Sequence, residues 1–397
     1  MSIGTAFHPR TAALNRKMQW REWAGYFAAS AYADSHAIEY NAIREAAALI
    51  DVTPLYKYRV AGPDAMRLVD LVIVRDATKL AVGQVYYTCW CDEDGKVVDD
   101  GTITRLDETT YRWTAADPQL RWFRLNAAGL DVEIEETTES TAALAVQGPL
   151  SRAVLEAASG RQLSGLRYFR GCPIRIRDLD LYVTRTGYTG DLGYELWVDA
   201  ERAVALWDIL MEVGEDFGVR PAGMLALDVA RLEAGLILLE VDYTSSRHAL
   251  IPDQNYSPYE IGLGRLVKLD KPGRFVGKAA LVKEQAAGGP PRRLVGMNVD
   301  WAGIEAMHAA QGLPPIVPTA AWRTAVPVYS PVRQVGRATS GTWSPTLKRT
   351  IALALVEVHV SAPGTRLEIE WTVEARRGRV GATVTELPFL DLPRKRE

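Results

Sequence analysis

RTGYTGDLGYEL (185–196) sets three glycines, Gly187, Gly190 and Gly193, at intervals of three, with Tyr188, Asp191, Tyr194 and Glu195 threaded between them. The spacing is GxxGxxG. A dinucleotide-binding turn reads GxGxxG inside a βαβ unit, and no such unit surrounds this stretch. A phosphate-cradling loop would also avoid acids, and two lie inside this one. What the frame suits is a neutral or electron-poor heterocycle. Glycines let backbone approach a flat ligand, tyrosines offer stacking faces and hydroxyls, and a carboxylate accepts two parallel N–H bonds from an amidine-like edge. A pterin or a guanine presents that edge. The alternative is a hairpin turn whose tyrosines pack and whose acids stay in water.

The flanking sequence mixes strands and helices. PIRIRDLDLYVTRT (173–186) reads as two strands around Asp178. Asp199 is placed to cap a helix over 200–217, where Val204, Trp207 and Met211 share a stripe. MLALDVARLEAGL (224–236) reads as a helix, followed by a long polar loop, VDYTSSRHALIPDQNYSPYE (241–260). Upstream, AIEYNAIREAAALI (37–50) is rich in helix formers. Tyr56, Tyr58 and Val60 then alternate with Lys57 and Arg59 as in a strand. Gly62-Pro63-Asp64 turns the chain into a helix, AMRLVDLVIV (65–74), and residues 85–106 form a hairpin around Gly95. KEQAAGGPPRR (283–293) is the linker candidate. Beyond it short alternating strands dominate, which predicts a small all-β C-terminal unit.

With 397 residues, 48% of them hydrophobic and 24% charged, the chain is expected to fold into two or three packed subdomains. A net charge of −3 with mixed signs argues against nucleic acid as the main partner. Three cysteines give no disulfide framework. No stretch reaches the roughly 18 apolar residues of a membrane span, and the N-terminal segment lacks the apolar run of a signal peptide. A soluble, cytoplasmic protein without a membrane partner is the expectation.

A second constellation is GKVVDDGTITRL (95–106). Adjacent residues of an extended segment point to opposite faces, so one of Asp99 and Asp100 enters a pocket while its neighbour faces out. A carboxylate in an apolar setting accepts a proton or steadies a developing cation. The alternative is an acidic hairpin end with both groups in water. The five histidines are scattered, and Cys89 and Cys91 lack the partners of a zinc site, so no metal is expected.

Taken in order, EWAGYF (22–27), VAGPDA (60–65), GQVYYTCWCDEDGKVVDDG (83–101), TRTGYTGDLGYEL (184–196), DVARLEAGL (228–236), PYEIGLGRLVKLD (258–270) and RATSGTWSPTLKRTIALALV (337–356) resemble the glycine cleavage T-protein (aminomethyltransferase) family. The resemblance implies an α+β fold: a folate-binding body over 1–285, with Greek-key and ferredoxin-like subdomains around a central opening, and a C-terminal β-barrel domain over 286–397. It implies tetrahydrofolate as cofactor, with Tyr87, Tyr188, Glu195 and Arg231 as binding residues and Glu195 on the amino-pyrimidine edge. Asp100 matches the catalytic carboxylate. The implied activity moves a methyl or methylene group from a donor to N5 of tetrahydrofolate.

Departures from the family pattern point the donor away from a lipoyl carrier. The usual DVSHMG is here Asp51-Val52-Thr53-Pro54-Leu55-Tyr56, an arginine before the aspartate of DVARLEAG is Leu227, and the segment before PYEIGLG is longer. A free, small N-, O- or S-methylated donor is expected. The other implied readings are an aminomethyltransferase with a lipoyl carrier partner, an enzyme served by an oxidoreductase partner, and a folate-binding protein without catalysis.

Overall fold

A computed structural model describes residues 2–397. Among these residues the strands gather into a five-stranded sheet, a six-stranded sheet, a closed six-stranded barrel and one short hairpin. The α+β class expected from the sequence is thus observed, with the barrel at the C-terminal end.

The five-stranded sheet runs in the order Val85–Cys91, Val97–Arg105, Thr110–Ala115, Tyr56–Ala61 and Glu133–Glu136, with antiparallel neighbours. One face sends Tyr58, Val60, Trp90, Ile103, Tyr111 and Trp113 into an aromatic core beneath the helices Ala65–Val72 and Leu120–Asn126. The ring centroids of Trp113 and Phe123 lie 4.1 Å apart, and Trp90 meets Trp113 edge-on at 5.3 Å. The strand through Tyr56, Tyr58 and Val60 forms as expected, but Lys57 is buried because the second face of the sheet is covered too. Its Nζ donates to the carbonyls of Thr53 (2.6 Å) and Leu55 (2.7 Å).

The six-stranded sheet runs Gly171–Ile176, Leu179–Thr184, Gly193–Asp199, Thr141–Gln147, Ala48–Asp51 and Arg220–Pro221, the last pair parallel. The two strands around Asp178 are present. The helix expected over 37–50 instead spans His36–Glu45, and Ala48–Asp51 is an inner strand. That strand has core on both faces, so it reads as a continuous apolar run that periodicity cannot separate from helix. Asp199 ends a strand and makes no side-chain cap bond. A single 3-10 turn separates it from the helix Ala203–Gly214.

The barrel closes in the order Arg292–Val299, Arg349–Glu357, Gln334–Ser344, Val326–Tyr329, Arg366–Val373 and Arg376–Thr385, with the last strand pairing with the first. The expected linker 283–293 narrows to 287–291, because the helix Lys278–Ala286 runs into it and the first barrel strand starts at Arg292.

Three acids hold the barrel against the body. Glu233 accepts from Ser344, Tyr40 and Arg44. Asp242 accepts from Thr339, Ser340 and Arg231, and Asp228 pairs with Arg323. Because these carboxylates are buried and each has charged or hydroxyl donors, removal of one partner strands the rest.

Candidate active site

Asp99 and Asp100 separate by strand alternation, as the sequence implied, but not into pocket and solvent. Asp99 lies opposite Trp90 and is completely buried on the aromatic side. Its Oδ2 accepts from the amides of Ala116 (3.1 Å) and Asp117 (3.0 Å) and from Nε2 of Gln119 (3.2 Å), while Oδ1 takes the Asp100 amide (2.7 Å). Asp99 therefore ties down the turn after Thr110–Ala115. Burial, then the charge of Asp100, pushes its carboxyl well above the usual range.

Asp100 lies opposite Cys89 on the other face. Its Oδ2 accepts from the Tyr87 hydroxyl at 2.8 Å, and its Oδ1 accepts from the hydroxyl of Tyr243. Burial raises its carboxyl above the ordinary value, and these two donors pull it back down. Burial and then the Asp100 charge hold both phenols far above the usual tyrosine range, so they stay protonated donors. The site thus contains a carboxyl group hydrogen-bonded at both oxygens.

Tyr243 was not singled out by the sequence, because the contact spans 143 residues and the residue lies in a polar loop. Its one signal was that the loop 241–260 exceeds the family's usual length.

Glu195 sits on Gly193–Asp199, paired with Thr184, and shares a face with Tyr182 and Trp197. Its Oε2 accepts from the Thr186 hydroxyl at 2.5 Å. Burial raises its carboxyl above the ordinary value, with Thr186 and then Arg112 opposing. Arg112 reaches over from the five-stranded sheet, its guanidinium 4.8 Å from the Trp197 ring and 5.3 Å from the Tyr182 ring. Burial lowers Arg112 to about 10. Arg112 was also missed, though Tyr111 and Trp113 on either side face the core and so aim it at the opposite face.

Tyr188 donates its hydroxyl to the Ile237 carbonyl. It lies close enough to feel the charges of both Arg231 and Asp100. Arg231 itself is completely buried, with Nη1 donating to Asp242 (2.6 Å) and to the Leu236 carbonyl (3.1 Å). It stands behind Tyr188 with no exposed surface.

The glycines of the opening stretch have another purpose than the one expected. A Cβ on Gly187 or Gly193 would fall 2.0 or 2.2 Å from the Gln147 amide oxygen, so these glycines make room for a side chain of the protein. Gln147 Nε2 donates to the carbonyls of Thr186 and Tyr194, which fixes the loop from within. Asp191 is not a ligand group either. It pairs with Arg44 (3.1 Å) and Arg394 (2.7 Å). Tyr194 is core. Of the motif, Tyr188 and Glu195 remain for the site.

The donor set fits a reduced pterin. Asp99 has four donors and no capacity to spare, whereas Glu195 is partly exposed and has a single hydroxyl donor, leaving lone pairs for an amidine-like edge. Elsewhere the fold gathers Asp117, Glu240 and His248 at the surface, with ligand-type atoms within 4.8 Å of one another. Their spacing along the chain hid this grouping.

Comparison with known proteins accords with this geometry. The GCVT N-terminal domain profile matches residues 6–271, and the glycine cleavage T-protein C-terminal barrel domain profile matches residues 292–391. The chain belongs to the glycine cleavage T-protein family. Membership makes it an enzyme of the tetrahydrofolate-dependent aminomethyltransferase class.

The chain is 39% identical to an aminomethyltransferase of Symbiobacterium thermophilum, covering 90% of each, and 36% identical to one of Streptomyces coelicolor, covering 88% of each. It is 34% identical to a trimethylamine-oxide aldolase of Ruegeria pomeroyi over 98% of this chain, but spans only 47% of that longer protein. The crystal structure of the glycine cleavage aminomethyltransferase T from Bartonella henselae has the same fold, with a TM-score of 0.82 at 23% identity over 98% of this chain and 99% of that one. Among the described residues no helix is long and apolar enough to cross a membrane.

Proposed function

We propose that this T-protein family member transfers a one-carbon group from a small methylated donor, an N-methylated one before an O- or S-methylated one, to tetrahydrofolate, without a lipoyl carrier. The observation that carries the reading is Asp100, hydrogen-bonded at both oxygens by Tyr87 and Tyr243 on the sheet face opposite the aromatic core. Tetrahydrofolate, when bound, supplies N5 as the nucleophile that receives the carbon.

The residues divide the work. Glu195 accepts the N–H edge of the pterin through its free lone pairs, and Thr186 and then Arg112 favour its ionised form against burial. Tyr188, backed by Arg231 and anchored on Ile237, forms a wall for the ring. Asp100 faces the reacting carbon, where its carboxylate stabilises ammonium character on the donor and accepts the N5 proton as N5 takes the methyl group and the neutral amine leaves. Its phenol partners prevent it from turning away. Holding the two reactants in register is the larger part of the rate gain.

The trimethylamine-oxide aldolase relative, which matches nearly this whole chain, supports a methylated-amine donor. The aminomethyltransferase relatives support the second reading, in which a lipoyl carrier delivers the carbon. The test is to incubate purified protein with tetrahydrofolate and N-, O- or S-methylated small molecules, with no other protein and no added formaldehyde, which loads tetrahydrofolate without an enzyme. Carbon-loaded folate in that mixture supports the proposal. Loading that begins only when a lipoyl carrier is added overturns it in favour of the second reading.

A further inference from the structure

We propose that the cleft lined by Arg75, Gln84, Tyr86, Tyr87, Phe169 and Arg265 is a binding site for a carboxylate group. The cleft has a volume of about 260 Å³. The inference deepens the transferase reading and rests on it, because Tyr87 is shared. Tyr87 lines the cleft and its hydroxyl holds Asp100, so the cleft adjoins the strand that carries the reaction-centre tyrosine.

The cleft contains two cations without a partner. The Arg75 guanidinium lies 3.5 Å from the Tyr86 ring centroid and donates one N–H to the Tyr87 carbonyl at 3.1 Å. Stacking fixes its plane and leaves most of its donors free. Arg265 commits one N–H to the Gly262 carbonyl at 2.9 Å. Among the described residues no carboxylate comes within 4.0 Å of either. The buried arginines elsewhere differ: Arg44 has Glu233 at 2.7 Å and Arg231 has Asp242 at 2.6 Å.

Two like charges on one partly desolvated wall oppose each other. Burial, and the nearby positive charge of Arg265, hold the Arg75 guanidinium below its usual pKa. An anion in the cleft removes that cost, and planar forks match a carboxylate through paired N–H bonds. Phe169 and Tyr86 provide apolar walls and Gln84 an amide, a lining suited to a small organic acid rather than to a bare inorganic ion. Two sources have this chemistry: the glutamyl end of the folate and an acid group on the methylated donor.

The experiment compares wild type with Arg75→Gln/Arg265→Gln and with Arg75→Lys, after thermal unfolding has established that all three fold. Binding is titrated with tetrahydrofolate, with tetrahydropteroate (the same ring without glutamate), with N,N-dimethylglycine and with trimethylamine. If the folate tail is the occupant, wild type holds tetrahydrofolate about tenfold or more tighter than tetrahydropteroate, and the double variant binds both alike. If the donor is the occupant, the two folates behave alike throughout, and the preference for dimethylglycine over trimethylamine disappears in the double variant. Arg75→Lys keeps the charge but loses the fork, and falls between. Equal affinities of wild type and double variant for all four probes overturn the proposal. Failure of wild type to bind either folate counts against the transferase reading instead, and the cleft is then judged by dimethylglycine against trimethylamine.

Discussion

The Tyr243 hydroxyl donates to Oδ1 of Asp100, joining residues 143 apart in sequence. Tyr87 supplies the other oxygen with its donor, so the carboxyl group is hydrogen-bonded on both sides. A neutral donor favours the charged form of an acid, which makes Tyr243 a positioning residue with an electrostatic signature. In Tyr243→Phe the Asp100 pKa rises by about one unit, the scale of one lost hydrogen bond to a charged group. The acidic limb of the kcat/KM profile moves up by the same amount, while folate affinity stays within about twofold. An unmoved limb assigns Tyr243 to packing alone.

Glu195 and Asp100 separate binding from turnover. Glu195→Ala should weaken tetrahydrofolate binding by about 10- to 100-fold, the worth of charge-assisted hydrogen bonds. Asp100→Asn should leave affinity close to wild type and lower turnover by about 100- to 10,000-fold, the range for a lost acid–base group. Burial holds the Glu195 carboxyl above its ordinary value, and the grip needs the ionised form. Affinity therefore declines as pH falls, through a midpoint above the ordinary glutamate value. Calorimetric titration at several pH values measures both effects.

The parts of this site that sequence made legible were those that local pattern determines. Alternation along 97–105 correctly put Asp99 and Asp100 on opposite faces, but nothing local showed that both faces are covered. Glu195 stood out as an acid in a glycine-rich frame. The glycines themselves misled, since the Gln147 side chain that occupies their space comes from a strand 40 residues away in sequence. Helix and strand were confused at 46–50 for the same reason: a strand with core on both faces loses its alternation. Tyr243 and Arg112 enter through tertiary contacts, for which a single sequence has no local sign.

Lys57 gives a stability test outside the site. Burial lowers its pKa from 10.5 to about 7. Between those values the unfolded chain binds the extra proton and the folded one does not, so this residue's contribution rises with pH across that window and is lost on going down towards pH 7. The slope is at most about 1.4 kcal/mol per pH unit. Urea unfolding of wild type and Lys57→Met at pH 7.5 and 9.5 should show the difference between the proteins widening in favour of wild type at the higher pH. Parallel shifts in both proteins contradict a buried, readily discharged lysine.

Asp242 joins the body to the barrel through Arg231, Thr339 and Ser340. Asp242→Ala takes the nearer anion from the buried Arg231 guanidinium and leaves it Asp228 at 3.6 Å, a loss of about 3 kcal/mol. Its thermal midpoint should drop by several degrees, whereas Arg10→Ala, which breaks an exposed pair with Asp208, should change it little. Equal effects would remove the assignment of Asp242 as the joint.

The most direct test is a crystal structure of the protein with bound tetrahydrofolate. The account predicts the amino-pyrimidine edge on the Glu195 carboxylate, the ring against Tyr188, and the N5 side turned towards Asp100 between Tyr87 and Tyr243. A ligand bound away from Glu195, or with N5 directed away from Asp100, contradicts it.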